Sequence, residues 1–199
     1  MLSDYPKEIY IKSGEKVILR PMIKQDEHKL HEFFVRLPEK DRLFLKNDVT
    51  DREVIRSWAE KLNYDHVIPI LADLNGRIIG DATLHRMTTQ DPPDIGEIRI
   101  VIDADFRRRG LGTLLAKEIY YLALSRKMNK LIAEVVEDQD HVIKTFEMLG
   151  FRKNKVLKDK AIDLYGEKHN LVIMTEDVDA LWKTIEDLIS GDTAFHSRE

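Results

Sequence analysis

The chain has 199 residues, 43% hydrophobic and 34% charged, the size and composition of one globular domain that buries a proper core. It contains no cysteine, which excludes disulfides, thiolate nucleophiles with their covalent thioester chemistry, and cysteine-based zinc sites. A net charge of −4 argues against a general nucleic-acid coat, and no apolar run has signal-peptide or membrane-spanning length, so a cytoplasmic protein without membrane contact is expected.

Residues 16–20 form a short β-prone run that Pro21 ends, and residues 24–36 carry Leu30, Phe33 and Phe34 at helical spacing, with Leu37 continuing the pattern. A second helix is predicted after Thr50, with Glu53 completing a capping box and Val54, Trp58 and Leu62 recurring along it; residues 37–49 are then a loop. Residues 67–74 and 77–85 flank Asn75-Gly76, the favoured pair for a two-residue type I′ hairpin turn. Pro92-Pro93 breaks the next connection, and residues 96–102 read as a strand. Beyond it the period changes. Leu111, Leu115, Ile119 and Leu122 share one helical face that ends near Lys127, and residues 130–136 read as a strand parallel to the previous one, a right-handed crossover. Residues 138–149 form a helix stopped by Gly150, followed by strands at 152–157 and 170–174 with Tyr165-Gly166 near their turn. Residues 177–190 place Val178, Leu181, Trp182, Ile185 and Leu188 on one face. This predicts a terminal amphipathic helix packed on a domain of residues 1–176 or on a second copy in a homodimer, with a frayed tail at 191–199.

The stretch 98–115 joins a buried strand to a helix through a basic turn containing Gly110 and Gly112. Glycines let backbone N–H groups approach a ligand closely, the helix start offers unpaired donors and its positive dipole end, and Arg107, Arg108 and Arg109 add charge; a pyrophosphate fits there. Two other readings stay open on these residues. One is a dinucleotide-binding loop, for which Glu134 lies at a ribose-binding distance, although Leu115 occupies the third glycine position and the preceding strands form an antiparallel hairpin. The other is an ordinary strand-to-helix turn with exposed arginines.

Arg107-x-x-Gly110-x-Gly112 resembles the pyrophosphate-binding motif of the GCN5-related N-acetyltransferase (GNAT) superfamily. The resemblance extends upstream to Val17-Ile-Leu-Arg-Pro-Met22 and the acidic segment from Gln25, and downstream to Gln139-Asp-His-Val-Ile-Lys-Thr-Phe-Glu-Met-Leu-Gly-Phe151, similar to the family's N-x-x-A-x-x-x-Y-x-x-x-G-F helix; it spans residues 15–175. It implies an α/β fold with an α+β mixed sheet, in which antiparallel N-terminal strands join a parallel β-α-β crossover that splays to hold acetyl-CoA. In this resemblance the backbone of Ile100, Val101 and Ile102 runs along the pantetheine arm. Arg107 and the amides of Arg108, Arg109, Gly110, Leu111, Gly112 and Thr113 hold the pyrophosphate, and Gln139 and Phe146 border the cofactor from the next helix. The implied activity is direct transfer of acetyl from acetyl-CoA to a primary amine, without a metal. The first strand together with Leu37-Pro-Glu-Lys-Asp-Arg42 and Gly96-Glu97 is similar to GNAT domains of bacterial protein-lysine acetyltransferases, which suggests a protein lysine, with a small amine as the other acceptor class.

Transfer to an amine needs a neutral nitrogen, and Glu97 is the candidate base. It lies on the strand leading into the turn, on the face of Arg99 and Val101 and opposite Ile98, Ile100 and Ile102, and it resembles the strand glutamate that serves as base in several GNAT enzymes. The bland alternative is a glutamate paired with Arg99. Asp81 and His85 on the preceding strand are candidates for orienting the substrate, and a backbone N–H near Ile100 or Val101 for the oxyanion. Phe146 stands where the family often has a tyrosine that protonates the leaving thiolate. The general acid is thus unassigned, and a non-catalytic acyl-CoA-binding regulatory module is the alternative function. His28 and His31 lack a third ligand at a recognised spacing and read as a solvated helix face, while the lysines at 153, 155, 158 and 160 read as a solvated strand edge.

Overall fold

The computed structural model describes residues 2–87 and 95–180. Its strands are β1 (Lys7–Tyr10), β2 (Lys16–Pro21), β3 (Val67–Leu74), β4 (Arg77–Met87), β5 (Ile95–Ile102), β6 (Lys130–Val136), β7 (Arg152–Ile162) and β8 (Lys168–Asp177). They form one sheet in the order β1-β2-β3-β4-β5-β6-β8-β7, antiparallel throughout except between β5 and β6. The hairpin between β3 and β4 is the one foreseen: Asn75 and Gly76 have φ of 51° and 88°, the left-handed conformation that a type I′ turn requires at both positions.

Helices cover both faces. On one lie α4 (Leu111–Ser125) and α5 (Asp140–Met148), where Leu111, Leu115 and Ile119 pack against Ile98, Leu84 and Ala82. On the other lie α1 (Glu27–Arg36) and α3 (Arg52–Glu60), joined by the short α2 (Glu39–Arg42) within the segment expected to be a loop. Phe33, Phe34, Ile55 and Ala59 of α1 and α3 bury against Leu71 and Ile78, with Trp58 set edge-on to Phe34 at 5.9 Å. Leu115, Ile119 and Phe33 are wholly excluded from solvent, and each such side chain contributes about 1.5–3 kcal/mol of transfer free energy.

Several boundaries differ from the sequence reading. The cap of α3 is Asp51, whose carboxylate accepts from the Glu53 N–H at 2.9 Å; the Thr50 hydroxyl instead donates to Asp48 at 2.6 Å. The edge strand β1 was not foreseen, and β7 and β8 are longer than expected. Asp177 ends β8 and residues 178–180 begin a helix one position later than expected; Val178 is buried in the main core, and Leu181, Trp182, Ile185 and Leu188 of that helix's expected apolar face lie outside the described residues, as do Pro92 and Pro93. Among the described residues no helix is long and apolar enough to cross a membrane.

Candidate active site

The sheet opens at its centre. Strand β5 pairs with β4 along its whole length, from Met87↔Ile95 to Gly80↔Ile102, but its parallel ladder with β6 stops at Glu97↔Ile132. Beyond that pair the β6-facing edge of β5 has no ladder partner among the described residues. Alternation puts Ile98, Ile100 and Ile102 on the α4 side and Glu97, Arg99 and Val101 on the other, the latter set facing His85, Thr83 and Asp81 across the β4 register.

Glu97 lies at the fork, its side chain only 4% exposed. Arg99 grips it with two parallel bonds, Nε to Oε1 and a terminal nitrogen to Oε2, both 2.8 Å. Lys46, from the segment after α2, donates to the same Oε1 at 2.9 Å and lies 2.7 Å from Oε2 of Glu134 on β6. One ammonium thus spans the two strands where they part. Burial alone would push the Glu97 carboxyl up, but the hydrogen bonds and charges of Arg99 and Lys46 outweigh it and hold the group at about 2. Burial, reinforced by the charge of Arg99, drops His85 to about 4, so its imidazole is neutral at physiological pH. Asp81 moves the other way: desolvation lifts its carboxyl to about 7 against the hydrogen bond from Thr83 and the charge of Arg99. This face therefore holds a committed carboxylate, a neutral imidazole and a carboxyl poised near neutrality.

Past the open end of β5 the chain makes the basic turn. Asp103 caps a short helical turn over Ala104–Phe106 by accepting from the Asp105 N–H, and receives Arg77 at 2.7 Å. Arg107 folds back, donating to the Ile102 carbonyl at 3.1 and 3.2 Å and to Asp41 of α2 at 2.9 Å. Arg109 donates to Glu15 at 3.0 Å and stacks over Phe106. Arg108 is exposed and, among the described residues, without an ion pair. Of the three arginines, two therefore pin the turn to α2 and to the β1–β2 connection, and Arg108 is the one left exposed. Gly110, at φ 80°, starts α4 with no side-chain cap, so the first N–H groups of the helix have no partner from a capping side chain. Gly112 approaches β5 so closely that a Cβ there would lie 3.1 Å from Ile102 Cδ1. Leu111 buries its side chain in the core and Thr113 is half-buried.

Gln139 precedes α5 and accepts from the Val142 and Ile143 amides through its carbonyl, making no side-chain cap. Phe146 is 7% exposed and packs edge-on against Phe151 at 5.2 Å, a core residue with no proton to give. His31 bonds the Thr50 carbonyl while His28 neighbours Glu32, so the two share no site. The sequence reading missed Lys46 altogether and considered Glu134 only as a ribose ligand. Neither residue carries a local signal, since their meeting depends on a segment 51 positions from Glu97 crossing the sheet. Among the described residues, Asp163, Glu167 and His169 lie close enough to share a cation, but Asp163 already accepts from the Tyr165 and Glu167 amides and His169 bonds Asp138.

Residues 28–151 match the acetyltransferase (GNAT) family. Similar solved structures include the GNAT domain of S. lividans PAT, at 18% identity over 86% of this chain and 96% of that one, with a TM-score of 0.72. Mycobacterium smegmatis RimJ in complex with CoA-disulfide superposes with a TM-score of 0.72 at 15% identity over 94% of this chain and 96% of its own. A spermidine N-acetyltransferase SpeG chimera from Vibrio cholerae and hSSAT gives a TM-score of 0.70 at 13% identity over 83% of this chain and 98% of its own.

Proposed function

Because this chain belongs to the acetyltransferase (GNAT) family, we propose that it moves acetyl from acetyl-CoA directly to the primary amine of a cationic acceptor, a lysine side chain or a polyamine. The observation that carries this reading is the fork after Glu97↔Ile132, with the uncapped start of α4 at one end and an ammonium held between two carboxylates at the other.

The residues fit the cofactor. Amides of residues 108–113 and the exposed Arg108 suit a pyrophosphate, and Gly112 leaves the room that a side chain would close. The unladdered edge of Ile100, Val101 and Ile102 offers backbone groups to the pantetheine amides, as an added strand would use them. Acetyl-CoA supplies an activated thioester. Glu97 and Glu134 then orient the acceptor ammonium in place of Lys46. Held at about 2, Glu97 is a stronger cation ligand than proton acceptor while Lys46 and Arg99 grip it, so its role as base requires Lys46 to leave. Asp81, near neutrality on the same face, is matched to taking the proton, directly or through water. Phe146 donates nothing, and the thiolate takes its proton from water.

Steady-state acetylation of lysine peptides and spermidine, set against neutral amines, tests the reading. A preference for cationic acceptors supports it; turnover limited to uncharged amines contradicts the two-carboxylate subsite.

A further inference from the structure

Lys46 is held where an acceptor belongs. The segment that carries it is pinned at many points: Leu37 and Val49 are buried at its ends, and Arg42 donates to the Leu37 carbonyl. The Leu164 amide of the β7–β8 turn donates to the Leu43 carbonyl, Tyr165 donates to Glu39, Phe44 sets its ring edge-on to His169 at 5.0 Å, and Asp41 receives Arg107. These contacts tie the segment both to the β7–β8 hairpin and to the phosphate turn, so the approach of Lys46 to the fork is built into the fold and is not an extended surface side chain finding a carboxylate. Its nitrogen touches Glu97, in the last rung of the β5–β6 ladder, and Glu134 on the parted strand, over the opening where the thioester is expected. The side chain is 45% exposed.

We propose that Lys46 is an internal acetyl acceptor of this enzyme, modified in cis before or between turnovers on other amines. The inference rests on the acetyl-CoA reading above. The ammonium loses one proton to water, the neutral Nζ attacks the thioester carbonyl carbon, and an N–C bond forms as the C–S bond breaks. The sulfur leaves with its electron pair as CoA thiolate and takes up a proton, the nitrogen sheds its second proton on becoming an amide, and one proton is released overall. The product acetamide carries no charge and can no longer bridge Glu97 and Glu134. The subsite would then stand open to an external cation, which makes the modification a self-releasing plug.

The test is incubation of the purified full chain with isotopically labelled acetyl-CoA, followed by proteolysis and mass spectrometry of every lysine. Label is expected on Lys46 at least about tenfold faster than on the exposed Lys153 and Lys155, as proximity to the bound donor demands. Its rate should be independent of protein concentration, and excess free CoA or the Gly112→Trp substitution should abolish it. Calorimetry with acetyl-CoA on the same sample separates the two claims. Binding and turnover of an added amine with Lys46 unlabelled, or labelled no faster than Lys153, overturns the internal-acceptor role alone, whereas absence of binding overturns the cofactor reading and this inference with it.

Discussion

Replacing Lys46 with methionine keeps the bulk of the side chain and removes one of the two cations on Glu97. That carboxyl is held at about 2 against an ordinary 4.5. At ~1.4 kcal/mol for each tenfold, the difference amounts to roughly 3 kcal/mol in favour of the folded chain near neutral pH. Arg99 grips both oxygens and carries the larger part; Lys46 is 45% exposed and screened by water, which limits its share to about 1 kcal/mol. A depressed carboxylate stabilises the fold above its unfolded pKa, and that contribution disappears as pH falls through the folded value. Lys46→Met should therefore raise the Glu97 titration midpoint and lower stability near neutrality by about 1 kcal/mol. The difference from the parent chain should close in strong acid. Carbon-13 NMR of the labelled glutamate carboxyl, with urea unfolding at a series of pH values, reads both. An unchanged Glu97 midpoint would refute the coupling.

Glu97→Gln keeps the shape of the fork but removes its charge, so the KM for a cationic acceptor should rise at least about tenfold with acetyl-CoA affinity unchanged; equal loss of both would mean the variant has disturbed the sheet. Asp81 has a raised carboxyl, so its neutral form is favoured by folding and stability should fall as pH rises from 3.8 through about 7; Asp81→Asn should flatten that slope in thermal melts and remove any rise in kcat/KM through the same window. Gly96 packs so tightly that a Cβ would lie 2.7 to 2.9 Å from Leu84, Met128 and Leu131, and Gly96→Val should lower stability by about 1–3 kcal/mol in urea titration, a loss that an unchanged midpoint would contradict.

Much of the fold was legible because its signals are local. Asn75-Gly76 specifies its turn through two positive φ angles, and the change from period two to period 3.6 around Gly110 marks the crossover whatever surrounds it. The helix cap went to Asp51 because two adjacent residues could both serve, and only the path of the chain decided between them. Charges were legible as residues but not as partners. Arg107 and Arg109 read as phosphate ligands, yet Asp41 and Glu15, 66 and 94 positions away, claim them in the fold. Glu97 was found by alternation along its strand, while Lys46 and Glu134, which give that glutamate its environment, meet it through tertiary contacts that no spacing encodes. Phe146 was noted for the hydroxyl it lacks, and its burial against Phe151 gives the aromatic ring a packing role.

The most direct test of the central claim is calorimetric titration of the chain and of its Gly112→Trp variant with acetyl-CoA. Saturable binding near one equivalent is expected for the parent. The variant, matched to it in circular dichroism, should bind nothing, because an indole beside Ile102 would fill the approach to the α4 amides. Equal affinity in both proteins, or none in the parent at millimolar ligand, would contradict it.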